Sequence, residues 1–196
     1  KGEFAGGIEA WAASYGFETT ALKDRALSFT NNAGSRMFYI STEDIISGIS
    51  SGNLDFGILG ADKVLENQSN FPLCPIQPLL FGKCFFNIGL PNETYPDYSQ
   101  PDEYIDYFQR NFAKRKTIAT ALPNTLTKLL TALNCPISPN NITVMKGSVE
   151  VAPLLYPEVF AIADIVTSGN TSLANGIRAD LKLIEFPGAY IVTKKI

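Results

Sequence analysis

Histidine is absent from this chain of 196 residues, and cysteine is scarce. Without histidine there can be no Ser-His-Asp or Cys-His catalytic arrangement and no imidazole general base. The three cysteines, Cys74, Cys84 and Cys135, are scattered and odd in number, which argues against a disulfide framework and for a reducing cytoplasm. No cysteine pair has metal-ligand spacing, so we expect no structural zinc and no protein-held metal. Any chemistry must use carboxylates, lysines, backbone amides or a metal ion brought by a substrate.

Long apolar runs and an excess of positive charge are also absent. No apolar run approaches the length of a membrane span, so we expect no membrane association. The net charge of −3 gives no general attraction to nucleic acid. A composition that is 45% hydrophobic and 18% charged is typical of a soluble globular protein, with enough chain for one large domain or two small ones. We predict a cytoplasmic protein.

Strand-like and helix-like segments alternate along the chain with short connections, which predicts an α/β fold with mainly parallel sheets. Residues 76–90 form either two strands or one long bent strand. A change in composition near Leu90 suggests a boundary between two lobes. Helices are predicted at 5–15, 42–52, 61–67, 124–133, 148–156 and 171–177, with a further helix from Pro101, and strands at 37–41, 54–60, 117–121, 142–147, 159–166, 181–186 and 190–194. Thr42 is the expected cap of the second helix.

The segment "FAIADIVTSGNTSLANG", Phe160 to Gly176, combines a buried strand with a loop rich in hydrogen-bond donors. Its apolar run is interrupted by Asp164 and followed by small polar residues, where backbone amides and a helix N-terminus would attract an anion. Gly169 would allow a ligand to approach the backbone closely. Asp164 suits sugar hydroxyls or a bound Mg²⁺. A ribose 5-phosphate site is one interpretation; a strand, a polar turn and a capped helix without a ligand is the other.

Several ordered motifs resemble those of the ATP phosphoribosyltransferases of histidine biosynthesis. "KGSVEVAP" at 146–153 and "ADIVTSGNTSLANG" at 163–176 resemble the segment of that family that holds phosphoribosyl pyrophosphate. The earlier stretch from Gly52 to Glu66 and "FGKC" at 81–84 follow the family pattern in order and spacing. The resemblance covers nearly the whole chain.

The resemblance implies two α/β lobes like those of type II periplasmic binding proteins, with a cleft between them. Residues 1–89 and 181–196 would form lobe I, on the nucleotide side, and residues 90–180 would form lobe II. The implied reaction moves a phosphoribosyl group from phosphoribosyl pyrophosphate to N1 of ATP, with Mg²⁺ carried by the substrate. The chain is similar to short-form members, which work with a separate regulatory subunit resembling histidyl-tRNA synthetase, and an oligomer is expected.

The resemblance also assigns site residues. Glu150 and Asp164 are the catalytic candidates, which would contact the ribose or stabilise positive charge at its anomeric carbon. The expected phosphate-binding residues are Thr167, Ser168, Gly169, Asn170 and Thr171, and the expected nucleotide-binding residues are Lys1, Gly2, Asp62 and Lys83.

Three positions where the family has arginine differ in this chain: they are Glu3, Ser41 and Phe85. Neither phenylalanine nor serine replaces the bidentate phosphate contacts of a guanidinium group. Two hypotheses therefore remain open at this stage. The chain is either a divergent working enzyme or a non-catalytic two-lobed binding protein for a small anionic ligand.

Overall fold

The computed structural model describes residues 2–18, 26–68, 73–94, 100–166 and 169–194. Its helices are α1 (Gly2–Ser14), α2 (Thr42–Ser51), α3 (Ala61–Asn67), α4 (Pro101–Ala113), α5 (Pro123–Ala132), α6 (Ala152–Leu155) and α7 (Asn170–Ala174). Its strands are β1 (Ser28–Thr30), β2 (Arg36–Phe38), β3 (Gly57–Gly60), β4 (Leu73–Leu79), β5 (Cys84–Pro91), β6 (Thr117–Thr120), β7 (Ile142–Val144), β8 (Val159–Val166), β9 (Ile177–Phe186) and β10 (Ala189–Lys194). Within the described ranges, no helix has the length and apolar character needed to cross a membrane.

The chain divides into two compact units. Residues 1–83 and 187–196 form the first, and residues 84–186 form the second. The sequence placed the boundaries at 89/90 and 180/181, which fall inside β5 and β9. These two strands pair with each other from Cys84–Phe186 to Pro91–Ile177. A hydrogen-bonded ladder holds both strands in one sheet of the second unit. The boundaries therefore lie at the start of β5 and at the end of β9.

The first unit is built on a sheet with the strand order β3-β10-β4, together with a β1-β2 hairpin. The strand predicted at 37–41 overlaps β2, whereas β1 was not predicted. The apolar stripe of α2 packs on the sheet through Ile46 and Ile49, which are 3% and 0% exposed. The expected cap at Thr42 is wrong, because the side chain of Ser41 accepts the N–H of Asp44 and caps α2.

The second unit contains one sheet with the strand order β7-β6-β8-β5-β9. Strand β6 runs parallel to β7 and β8, whereas β5 is antiparallel to both β8 and β9. The α/β class is confirmed, but strand directions in the described part are mixed rather than mainly parallel. The difference arises because the chain enters the second unit along β5 and leaves it along β9, and both strands join the same sheet.

Strand β5 lies between β8 and β9 in this sheet, and its two faces carry different residues. Phe86, Ile88 and Leu90 point to one face and are almost fully buried, at 0%, 1% and 1% exposure. Gly89 lies on the other face, where a Cβ atom would meet Ile177 Cγ2 at 2.5 Å and Ile162 Cγ1 at 3.1 Å. The missing side chain therefore allows β8 and β9 to pack their isoleucines across β5.

Replacing Gly89 with alanine is expected to destabilise the protein by about 1–3 kcal/mol, because the added methyl group overpacks this contact. Gly147→Ala is the matched control, since a Cβ atom there meets nothing within 4 Å. Urea unfolding of the two variants measures the difference. Equal urea midpoints for the two variants would show that β5 can accommodate the methyl group without a loss of stability.

Candidate active site

The parallel strands of the second unit bring several polar loops to one edge of the sheet. Because β6, β7 and β8 are parallel, their carboxyl ends lie at the same edge. Strand β5 begins at this edge, where Phe85 pairs with Val166. The loops that follow β7 and β8 contain the turn with Glu150 and the loop that leads into α7. Ligands of open α/β sheets commonly bind at such an edge.

Asp164 lies in β8, two residues before the strand ends, and is half-buried. Its Oδ1 accepts the N–H of Ile165 at 2.8 Å, and its neighbour across the ladder is Asn87 of β5. A carboxylate fixed on a strand next to the open edge can accept hydroxyl donors of a sugar or face a developing positive charge. The structure thus holds this catalytic candidate on a rigid element rather than on a loop.

Glu150 lies in a single 3-10 turn, Val149–Val151, and is also half-buried. Val149 and Ala152, on either side of it, are 1% and 0% exposed and pack with Ile162 of β8. These two contacts anchor the turn on the strand that carries Asp164. Both catalytic candidates therefore belong to the second unit and to the same region of its sheet.

Gly169 begins α7 in the left-handed conformation, with φ of 76° and ψ of −6°. This conformation is one that glycine adopts freely and that other residues adopt at a cost. Asn170 and Thr171 follow and are exposed, whereas Thr167 and Ser168 lie outside the described residues. The N–H groups of the first helical turn have no partner within the helix and remain available as donors.

Helix α7 has only 5 residues, which changes one expectation from the sequence. The helix dipole is a sum over aligned peptide units, so such a short helix contributes little of it. Attraction of an anion to this loop would therefore depend on individual N–H and hydroxyl donors rather than on a long helix.

The predicted nucleotide-binding residues belong to the first unit. Lys1 lies outside the described residues, and Gly2 is the first residue of α1. Asp62 lies in the first turn of α3, with its Oδ2 3.6 Å from Nζ of Lys63, a position that also suits a stabilising helix-end charge. Lys83 is exposed and follows Gly82, which has a φ of 76°. A nucleotide role for these residues stays a prediction.

Two polar residues that the sequence analysis did not select lie close to Asp164 in the sheet. Asn87 of β5 is directly opposite Asp164 on one side and opposite Lys182 of β9 on the other. A lone amide in the apolar run "CFFNIGL" was a signal that could have identified Asn87. Lys182 gave no such signal, because a lysine in an alternating strand is typical of a solvent-facing position.

The cysteines and a metal centre are the remaining chemical possibilities. Cys84 and Cys135 are buried, at 8% and 0% exposure, and burial raises the pKa of the Cys135 thiol. A buried thiol with a raised pKa is a poor nucleophile, which favours a structural role for Cys135. In the part of the chain that is described, no group of three or more His, Cys, Asp or Glu side chains could hold a metal ion.

Comparisons with known proteins agree on one family. The family model for ATP phosphoribosyltransferase, HisG, matches residues 41–195. An ATP phosphoribosyltransferase of Clostridium kluyveri is 33% identical over 157 residues, which are 79% of this chain and 63% of the relative. One from Clostridioides difficile is 33% identical over 141 residues, or 71% of this chain and 58% of the relative. The chain thus spans less than two thirds of the length of these relatives.

Solved structures show a similar fold. The ATP phosphoribosyl transferase (HisG:HisZ) complex from Thermotoga maritima has a chain with a TM-score of 0.65 at 20% identity, covering 96% of this chain and 81% of that one. The periplasmic aliphatic sulphonate binding protein SsuA from Escherichia coli has a TM-score of 0.50 at 15% identity, covering 94% and 60%. The two-lobed architecture expected from the sequence is confirmed.

Gly169→Ala is expected to destabilise the protein by about 1 kcal/mol because alanine resists the left-handed conformation. Crowding contributes little, since the nearest atom to a Cβ there is Val166 Cγ1 at 3.8 Å. Gly169→Asn should cost less, because asparagine tolerates this conformation. Chemical unfolding of both variants tests this, and an equal loss in the two would contradict the conformational explanation.

Proposed function

Because the chain belongs to the ATP phosphoribosyltransferase family, we propose that it transfers the phosphoribosyl group of phosphoribosyl pyrophosphate to N1 of ATP in the first step of histidine biosynthesis. The observation that carries the proposal is the junction of β8 with α7. There a strand-held carboxylate, Asp164, is followed within a few residues by a left-handed glycine that opens a helix. The carboxylate would bind the hydroxyls of a sugar phosphate, and the backbone at the glycine would bind its phosphate.

The 5-phosphate is assigned to the loop from Thr167 to Thr171. The N–H groups at the start of α7 and the hydroxyls of Thr167, Ser168 and Thr171 supply donors to its oxygens. Hydrogen bonds to a charged acceptor are stronger than those between neutral groups, so a few such donors suffice despite the short helix. Gly169 leaves the backbone open to the phosphate.

In the proposed reaction, the lone pair of N1 of ATP forms a bond to the anomeric carbon of the ribose. The bond from that carbon to pyrophosphate breaks, and its electron pair leaves with the pyrophosphate oxygen. The adenine then loses a proton from its exocyclic amino group to solvent. Asp164 and Glu150 face the positive charge that develops on the ribose, and Mg²⁺ carried by the substrate neutralises the leaving group. Positioning and charge stabilisation need no histidine.

The non-catalytic alternative has less support. The family match runs from Ser41 to Lys195 and includes the segments with Glu150, Asp164 and Gly169. The likeness to a sulphonate-binding protein, at 15% identity, concerns the fold alone. A phosphate loop next to two carboxylates would fit a sugar phosphate better than it would fit an arbitrary small anion.

Partners and location follow from the same proposal. The relative of known structure is part of a HisG:HisZ complex, and we infer that this chain also works with a regulatory subunit, in an oligomer. Its three cysteines are free, which fits the cytoplasm. Mg²⁺, ATP and phosphoribosyl pyrophosphate are the expected ligands.

Gly169→Val should weaken phosphoribosyl pyrophosphate binding by at least about a hundredfold, since two or more charge-assisted contacts are lost. Gly52→Val is the matched control, because Gly52 has a similar φ of 78° at the end of α2, in the first unit. Calorimetry on both variants, with circular dichroism to confirm folding, separates backbone strain from loss of the phosphate contact. Unchanged affinity in Gly169→Val would contradict the phosphate assignment.

The isolated chain should bind ATP weakly, because two polyanions repel each other unless cations screen them and three arginine positions are lost. Glu3→Arg should tighten ATP binding about tenfold, the scale of one charge-assisted contact. Glu158→Arg, an exposed change of equal charge in the second unit, is the control. ATP titrations with and without Mg²⁺ measure the ATP affinity of the unmodified chain and of both variants. Tight ATP binding and rapid turnover by the unmodified chain alone would show that these arginines are not needed.

A further inference from the structure

Three polar side chains form a row across the neighbouring strands β8, β5 and β9 of the second unit's sheet. Asp164 of β8 pairs with Asn87 of β5, and Asn87 pairs in turn with Lys182 of β9. Residues directly opposite each other in a ladder project to the same face. Adjacent strands are about 4.8 Å apart, so the row Asp164–Asn87–Lys182 starts an acidic, an amide and a basic side chain from neighbouring backbone positions.

Asn87 has an unusual environment within this polar row. It is 4% exposed, and its Nδ2 donates to the carbonyl of Ala179 at 2.6 Å. That bond fixes the orientation of the amide. Its Oδ1 is buried and has no hydrogen-bond partner among the described residues. A buried acceptor without a donor is costly, and a native structure that retains one commonly has a use for it.

Lys182 of β9 is the register partner of Asn87 and carries a positive charge. Its side chain is exposed, and its Nζ lies 4.2 Å from the centre of the Phe85 ring. Phe85 precedes Asn87 by two residues on β5 and so shares its face. Among the described residues, Lys182 makes no ion pair. The ring holds the ammonium by a cation–π contact and leaves its three N–H donors unused by carboxylates.

The face that carries the polar row also carries the candidate active site. Ile162, two residues before Asp164, packs against Val149 beside Glu150. Helix α7, which follows Gly169, contacts β9, the strand that carries Lys182.

From this arrangement we propose that Lys182 binds the pyrophosphate group of phosphoribosyl pyrophosphate and that Asn87 positions the lysine. The ammonium over the Phe85 ring supplies a positive charge to this face of the sheet from the neighbouring strand. In the loaded site one N–H of Lys182 donates to Oδ1 of Asn87, and the others donate to pyrophosphate oxygens. As the bond to the anomeric carbon breaks, the ammonium stabilises the electron pair that leaves with pyrophosphate.

The charges near the row determine which form of the ligand fits. Asp164 lies at one end, and Glu185 is the register partner of Phe85. These carboxylates would repel bare pyrophosphate but tolerate its magnesium complex. The inference rests on the proposed function, because pyrophosphate is the leaving group of that reaction.

The test uses magnesium pyrophosphate and ribose 5-phosphate as separate calorimetric probes of the full chain. Lys182→Met keeps the length of the side chain and removes the charge. It should weaken magnesium pyrophosphate binding by at least about tenfold and leave ribose 5-phosphate affinity unchanged. Asn87→Leu should weaken magnesium pyrophosphate binding by a smaller factor of about three to ten, as expected for a positioning residue. Lys114→Met, at the exposed end of α4, is the matched control.

A second variant moves the positive charge from β9 to β5. Phe85→Arg combined with Lys182→Met should recover magnesium pyrophosphate affinity if the two side chains serve the same position. If Lys182→Met loses magnesium pyrophosphate affinity and the double variant does not recover it, the two side chains do not serve the same position. Unchanged binding in a folded Lys182→Met would overturn the inference while ribose 5-phosphate binding still supported the proposed function. Failure of the unmodified chain to bind either probe would overturn both.

Discussion

The pairing of β5 with two antiparallel neighbours is the constraint on which the second unit depends. A ladder fixes which residues stand opposite one another, and a slip of one residue would reverse every side chain. Here the register places Asp164 and Lys182 on either side of Asn87. Buried Phe86, Ile88 and Leu90 on the other face of β5 hold that register, because a shift would expose them. The polar row follows from the packing of apolar residues on the opposite face.

The edge of the sheet gives the site its chemical character. Carboxylates on β8 and on an adjacent turn are held by packed apolar neighbours, whereas the proposed phosphate donors belong to a loop and a helix of 5 residues. The proposed recognition of a sugar phosphate would rely on local hydrogen bonds more than on a long-range dipole. Lysine has a flexible side chain, and the Phe85 ring places the ammonium of Lys182.

The contact between Lys182 and Phe85 shows how an aromatic side chain can place a charge on a sheet. The ring of Phe85 attracts the ammonium group of Lys182 from the neighbouring strand. A positive charge is therefore held over β5 although the residue that supplies it belongs to β9.

The sequence by itself determined the α/β class and most of the order of elements, and it predicted a phosphate site after β8. The run at Val159–Val166 and the helix at Ala61–Asn67 were predicted with the bounds observed, since apolar periodicity and glycine are local signals. Glu150, Asp164 and Gly169 could be chosen because they lie in contiguous motifs. Only the tertiary structure decided the mixed strand directions, the unit boundaries and the nearness of Phe85, Asn87 and Lys182. Lys182 is separated from Phe85 and Asn87 by almost half the chain, and only strand pairing brings it near them, which no local pattern encodes.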